Sequence, residues 1–274
     1  MIDKHLIALA LAEDLQGGED VTSVSTISAE STSTADFTAR KPGVLAGIDM
    51  VKAVLEEVGL TDIAVNKNDG EAISAGEVLL TVTGNTRAIL LAERTALNFV
   101  GHLSGIATET SKWVAEVTGT HCQVRDTRKT TPGYRQLEKY AVRMGGGTNH
   151  RISLSDAALI KDNHIAAAGG VSQAFSAVRS AFPAAPIEIE VDTLDQLREV
   201  LPLTPDLILL DNMSPAQCAE AVAIVGGTSK LEASGGITLD SAKAYAESGV
   251  DYIAIGALTH SAAVLDIGLD LRAE

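Results

Sequence analysis

The chain has 274 residues, 46% of them hydrophobic and 21% charged, with a formal net charge of −15. The apolar share supplies an ample core and excludes the disordered classes, while the acidic balance and an aromatic content of only 3% argue against a nucleic-acid partner. No apolar run approaches the ~20 residues that a membrane-spanning helix requires. The segment from Met1 lacks a signal-peptide layout, and Cys122 and Cys218 have no metal-ligand spacing; a soluble cytoplasmic protein with two reduced thiols is expected.

In the first hundred residues, helical patterns at Lys4–Asp14, Asp49–Val58 and Arg87–Ser104 flank strand-like segments at Thr32–Ala39, Ile63–Val65 and Val78–Gly84. Runs of strands with helices to one side predict an α+β sandwich domain over 1–105. From position 121 the pattern changes. Short apolar runs at His121–Asp126, Ala157–Lys161, Ile187–Val191, Leu207–Leu210, Leu231–Ala233 and Tyr252–Ile255 alternate with Ala/Leu/Glu-rich helical stretches such as Thr193–Leu201, Pro215–Val225 and Leu239–Ser248. Continuously apolar strands between helices imply a parallel sheet covered on both faces. A further strand is expected near Arg143–Leu154. Seven strands fall short of a closed eightfold barrel, so the expectation is an open, incomplete β/α barrel over 106–265, with residues 266–274 packing back on the first domain. Functional groups belong at the carboxyl ends of such strands.

Within this acidic chain, Arg125, Arg128, Lys129, Arg135, Lys139, Arg143, His150, Arg151, Lys161 and His164 crowd one stretch. Fixed cations at that density read as the floor of a site for carboxylates and phosphates. The run Asp126-Thr127-Arg128-Lys129-Thr130-Thr131-Pro132-Gly133 follows a strand and precedes a helix; Arg offers a planar fork, Lys a point charge, and the threonines and amides bind phosphate oxygens. Gly145-Gly146-Gly147 before His150 and Arg151 permits close backbone approach, without the Gly-Lys-Ser/Thr of a nucleotide phosphate loop. Lys161 ends a buried strand and must meet a protein carboxylate or a substrate anion, or else be neutral and able to form a Schiff base. Glu188 and Glu190 alternate to one side of their strand at different depths. Glu190 and Asp211 at neighbouring strand ends are a pair of oxygen ligands for magnesium on a diphosphate, or counter-charges for Lys129 and Lys161. The small-residue loops Ser234-Gly235-Gly236 and Gly256 to His260, after the last two strands, occupy the usual phosphate position of β/α barrels.

Together these motifs, with Glu93-Arg94-Thr95-Ala96-Leu97-Asn98, Ser104-Gly105-Ile106-Ala107-Thr108 and Leu137-Glu138-Lys139-Tyr140, resemble the quinolinate phosphoribosyltransferases over nearly the whole chain. The acidic-glycine pattern near Gln16–Asp20 is looser than in that family. The resemblance implies transfer of a phosphoribosyl group from phosphoribosyl pyrophosphate to quinolinate, giving nicotinate mononucleotide, pyrophosphate and carbon dioxide, with Mg2+ as cofactor. It implies that Arg94, Arg128, His150, Arg151 and Lys161 hold quinolinate and that Thr127, Lys129, Glu190, Asp211, Ser234, Gly235, Gly236, Gly256 and His260 hold phosphoribosyl pyrophosphate. Lys129, Lys161, Glu190 and Asp211 would be catalytic, with Glu190 and Asp211 binding the metal. It further implies a homodimer in which Arg94 completes the neighbouring subunit's site. Rival readings are a related pyrophosphorylase-like protein of molybdenum transport, a Schiff-base aldolase acting through Lys161, and a non-catalytic phosphate-binding protein.

Overall fold

Two kinds of sheet organise residues 3–272, which the computed structural model describes. In chain order the strands are β1 (Thr32–Ala39), β2 (Gly43–Val44), β3 (Asp62–Val65), β4 (Ala72–Ile73), β5 (Val78–Asn85), β6 (Gln123–Arg125), β7 (Ala158–Ile160), β8 (Ile187–Val191), β9 (Leu207–Asp211), β10 (Lys230–Ser234), β11 (Tyr252–Ala254) and β12 (Ile267–Leu271). The chain divides into two compact units. One comprises Met1–Glu109, Gln136–Gly146 and Ser261–Glu274, and the other Thr110–Arg135 and Gly147–His260.

The first unit holds a four-stranded sheet in the order β12-β1-β5-β3, antiparallel throughout. Alternation decides its faces: Ala35, Phe37 and Ala39 of β1 are buried while the residues between them are less so, as the two-residue period of a strand requires. The helix Ile48–Glu57 buries Ile48, Met50, Val51, Val54 and Leu55. Its first amides are capped from a distance, because the Asp69 carboxylate accepts from Gly47 N at 2.9 Å and Ile48 N at 3.0 Å. Tyr140 Oη donates to the same carboxylate at 2.7 Å, and this hydrogen bond together with burial pushes the Tyr140 phenol well above its ordinary value.

One helix differs from its sequence pattern. Gly101, Ser104 and Gly105 suggest an end near 104, yet the helix runs unbroken over Thr86–Glu116. Gly105 is a packing requirement: a Cβ there would stand 2.2 Å from the Ala263 carbonyl oxygen, and one at Gly101 would stand 3.1 Å from that of Leu265. The segment 263–265 crosses the helix so closely that it excludes side chains, and the glycines cost helix propensity to permit the approach.

The second unit is a six-stranded parallel sheet in the order β6-β11-β10-β9-β8-β7. Its strands are buried on both faces: Ile187, Ile189, Ile208, Leu210, Leu231, Ala233 and Ile253 on one, and Glu188, Leu209, Glu232 and Ala254 on the other. The connecting helices carry local start signals. Thr193 with Gln196, and Ser214 with Pro215 and Gln217, form capping boxes that satisfy amides no helical carbonyl can reach. The six strands read from the sequence are all present, but the seventh, expected near Arg143–Leu154, is reduced to one isolated parallel bridge between Arg125 and Thr148. The rest of that segment belongs to the helix Arg135–Met144 and to a loop whose amides bond to side chains: Ile152 N and Ser153 N both donate to Asp156.

Gly105→Ala is expected to destabilise the fold by about 1–3 kcal/mol, the usual cost of overpacking. Gly18→Ala, whose added Cβ would meet only the Leu15 carbonyl at 3.4 Å, should be close to neutral. Urea denaturation of the two variants beside the parent checks this.

Candidate active site

Register brings the chemistry to one edge. Across the parallel sheet Arg125 pairs with Ala254, Ala254 with Ser234, and Ser234 with Asp211. Ile160 pairs with Ile189, so Lys161 and Glu190, one residue on, lie side by side. Their side chains form an ion pair. Each strand therefore delivers a residue within one position of its end to the carboxyl edge, where the following loop turns away.

A cavity of about 360 Å³ opens there, lined by Thr127, Arg128, Lys129, His150, Arg151, Lys161, Glu190, Asp211, Glu232 and Ser234 among others. Five of the ten cations of the cationic stretch thus converge on it. The remainder do other work. Arg125 Nη1 bonds to Glu232 Oε2 at 2.8 Å, and its guanidinium lies 4.1 Å from the Tyr252 ring centroid. Arg135 braces the loop by donating to Thr130 Oγ1 at 3.0 Å and to the Ile152 carbonyl at 3.2 Å. His164 Nδ1 accepts from Lys161 N at 3.0 Å as part of a helix cap. Arg94 lies exposed on the helix Thr86–Glu116, in the first unit.

Two features of the cavity suit an anion. The buried Nε atoms of Arg128 and Arg151 have no hydrogen-bond partner among the described residues, and an orphaned buried donor is costly unless a ligand completes it. Burial, and then the neighbouring Arg128, pull the Arg151 guanidinium below its ordinary value. Two guanidiniums that repel in the free protein are relieved by a dicarboxylate.

A second cavity of about 490 Å³ shares Thr127, Lys129, Asp211 and Ser234 and extends over Gly235, Gly236, Gly256 and His260. Its glycines are sterically demanded. A Cβ on Gly235 would lie 2.2 Å from Asn212 Oδ1, and Gly235 has φ +91°. A Cβ on Gly256 would lie 3.1 Å from Lys129 Cδ and 3.3 Å from His260 Nε2. The loop 126–133 is tied to this side by Thr259 Oγ1, which donates to the Lys129 carbonyl at 2.7 Å.

Glu190 and Asp211 are oxygen donors at adjacent strand ends and fit a hard divalent cation. Burial raises the Asp211 carboxyl, Asp192 raises it further, and Lys161 and Lys129 oppose the shift; a bound cation would act in the same sense as the lysines. The ion pair between Lys161 and Glu190 gives the lysine a counter-charge, which removes the isolated, desolvated amine that a Schiff-base role requires.

Part of the cavity wall belongs to a buried cluster only partly visible in the sequence. Glu232 is fully buried and Glu188 nearly so; His150 Nε2 is 2.9 Å from Glu188 Oε2 and 3.4 Å from Glu232 Oε1. Charged residues alternating inside the strand Lys230–Ser234 were the available signal for Glu232, but the strand reads first as core. These three residues present ligand atoms within 4.8 Å of one another, a spacing that suits a metal. The hydrogen bonds argue otherwise: His150 Nδ1 accepts from Arg151 N at 2.7 Å, so it carries no proton. A metal on Nε2 would then leave an imidazolate, and Glu232 is already bonded to Arg125. The cluster is therefore a proton and charge network.

The fold and this edge of cations, amides and carboxylates define a parallel β/α protein with a cavity whose lining suits multiply charged anions. Residues 106–270 match the C-terminal domain of quinolinate phosphoribosyl transferase and residues 20–104 its N-terminal domain. The chain belongs to that family. It is 52% identical over 274 residues to the carboxylating nicotinate-nucleotide pyrophosphorylase of Mycobacterium leprae, covering 98% of this chain and 96% of the relative. It is 42% identical to a probable enzyme of the same name from Bacillus subtilis, covering 98% and 93%. The crystal structure of nicotinate-nucleotide pyrophosphorylase from Ehrlichia chaffeensis superposes with a TM-score of 0.93 at 39% identity, covering 98% of each chain.

Desolvation, with Glu188 beside it, pushes the Glu232 carboxyl up from 4.5 to about 7, against the pull of His150 and Arg125. The unfolded carboxyl ionises at its ordinary value, so between 4.5 and about 7 the folded chain holds the extra proton and stability falls as pH rises. Glu232→Gln should flatten that fall, as measured by Tm at a series of pH values across the window.

Proposed function

We propose that this chain is a carboxylating phosphoribosyltransferase: it joins quinolinate to phosphoribosyl pyrophosphate and releases pyrophosphate, carbon dioxide and nicotinate mononucleotide, a step of NAD biosynthesis. The observation that carries the reading is the convergence of Arg128, Lys129, His150, Arg151 and Lys161 on one cavity that merges with a glycine-lined one, in a chain of net charge −15. One lobe suits a compact dicarboxylate and the other a sugar phosphate.

In this reading Arg128 and Arg151 present planar forks to the two ring carboxylates, with His150 and Lys161 beside them. The amides and hydroxyls around Ser234, Gly235, Gly236, Gly256 and His260 receive the sugar 5-phosphate, while Thr127 and Lys129 face the diphosphate. Glu190 and Asp211 hold Mg2+ and meet the ribose hydroxyls. The metal, when bound, neutralises charge on the diphosphate. The chain's own contribution is to orient the pyridine nitrogen toward the anomeric carbon and to surround the departing pyrophosphate with fixed cations, with no covalent nucleophile. Quaternisation makes the ring an electron sink, so the carboxylate adjacent to nitrogen leaves as carbon dioxide; Lys129 and Lys161 are the cations placed to assist. We further infer that the Thr148 bridge marks the seventh strand of an open barrel. We also infer that the working form is a cytoplasmic homodimer in which Arg94 serves the neighbouring subunit's site; the free, buried Cys122 and Cys218 suit a reducing compartment.

With magnesium and phosphoribosyl pyrophosphate, the purified protein should turn over quinolinate but not nicotinate, with carbon dioxide and nicotinate mononucleotide formed in equal amounts; chelation of the metal should abolish turnover. Loss of the bidentate fork in Arg128→Lys should raise KM for quinolinate about tenfold or more, with a much smaller change for phosphoribosyl pyrophosphate. Equal weakening of both would remove Arg128 from the carboxylate site.

A further inference from the structure

We infer that Glu188 is a positioning residue for this transfer: it fixes the tautomer of His150 and, through it, the main chain that aims Arg151. The inference rests on the reading of Arg151 as a carboxylate fork. Glu188 lies mid-strand in β8, 5% exposed, with Oε2 2.9 Å from His150 Nε2. On the other side of the ring, His150 Nδ1 accepts the Arg151 amide at 2.7 Å. In its neutral form the ring has one proton to place. On Nε2 it faces carboxylate oxygen and leaves Nδ1 free to accept. On Nδ1 it would oppose the Arg151 N–H and turn the Nε2 lone pair toward Glu188, so two attractive contacts would become two repulsive ones.

The consequence reaches Arg151 because its other end is held as well. His150 N donates to buried Asp126 at 2.9 Å, and Arg151 Nη1 donates to the Ala157 carbonyl at 2.9 Å. Amide and guanidinium are thus both tethered, and the amide tether exists in only one tautomer. A fork that must stay in place beside the like-charged Arg128 before any dianion arrives needs such an anchor.

The test combines 15N NMR of histidine-labelled full-length protein with steady-state kinetics on the parent, Glu188→Leu and Glu188→Gln. The parent His150 signal, assigned by its loss in His150→Asn, should report the Nε2–H tautomer. Glu188→Leu, which removes the acceptor, should move it toward Nδ1–H and raise KM for quinolinate about tenfold, with KM for phosphoribosyl pyrophosphate changed by less than about twofold. Glu188→Gln keeps an oxygen acceptor and should restore both. An Nδ1–H tautomer in the parent would overturn the inference without any variant. So would an unchanged tautomer in Glu188→Leu, or a parallel rise of both KM values, which marks a merely structural role. Should the parent fail to turn over quinolinate, the transferase reading falls on that result, while the tautomer comparison still decides what Glu188 does to His150.

Discussion

Strand register is the constraint on which the site depends. Parallel ladders fix Arg125, Ala254, Ser234 and Asp211 in one row, and set Lys161 beside Glu190 at the same edge. Side chains alternate along a strand, so a slip of one residue in β8 would exchange Glu190 for Val191 at the edge and turn Glu188 from its partners toward the helices. The buried residues Ile187, Ile189, Ile208 and Leu210, which share the opposite face of the sheet, hold that register. Packing far from the substrate lobe therefore decides which charges meet it.

Charge is managed by depth. The chain as a whole repels anions, yet Arg128, Lys129, Arg151 and Lys161 face one cavity, and two of the acids near them, Glu188 and Glu232, are buried. Glu190 is paired with Lys161, while Glu188 and Glu232 lie against His150 and Arg125. Burying carboxylates beside these cations has two effects. It supplies counter-charge that steadies crowded guanidiniums in the free protein, and it keeps that counter-charge away from solvent. The cost appears in the raised Glu232 carboxyl, which burial and a like-charged neighbour make reluctant to ionise.

Much of this was legible in the sequence, for identifiable reasons. The six parallel strands announced themselves as short runs rich in β-branched and apolar residues between helical stretches, and the loop Asp126–Gly133 because Thr, Arg and Lys at a strand end have few structural uses. The end of the long helix was misread because glycine carries two meanings, chain termination and close approach, and only the crossing of 263–265 reveals which applies at Gly105. The expected strand near Arg143–Leu154 is reduced to the single Thr148 bridge because the hydrogen-bonding needs of its neighbours are met locally, by Asp156 and a helix.

Glu232 was hidden for a different reason, and it bears on how such sites are built. A glutamate in a short apolar strand reads as an edge residue or a solvated one until the partner is known, and its partner Arg125 is 107 positions earlier. Nothing local to either residue points to the other; the pair exists because β11 alone separates β6 from β10 in the sheet. Long-range pairing of buried charge is invisible to local pattern and specified by topology. It is also the kind of contact that a merely stable fold would replace with apolar packing at little loss. Glu232 also lies 3.4 Å from His150 Nε2, behind the closer Glu188, so the pair adds charge beside the ring that an apolar floor would not supply.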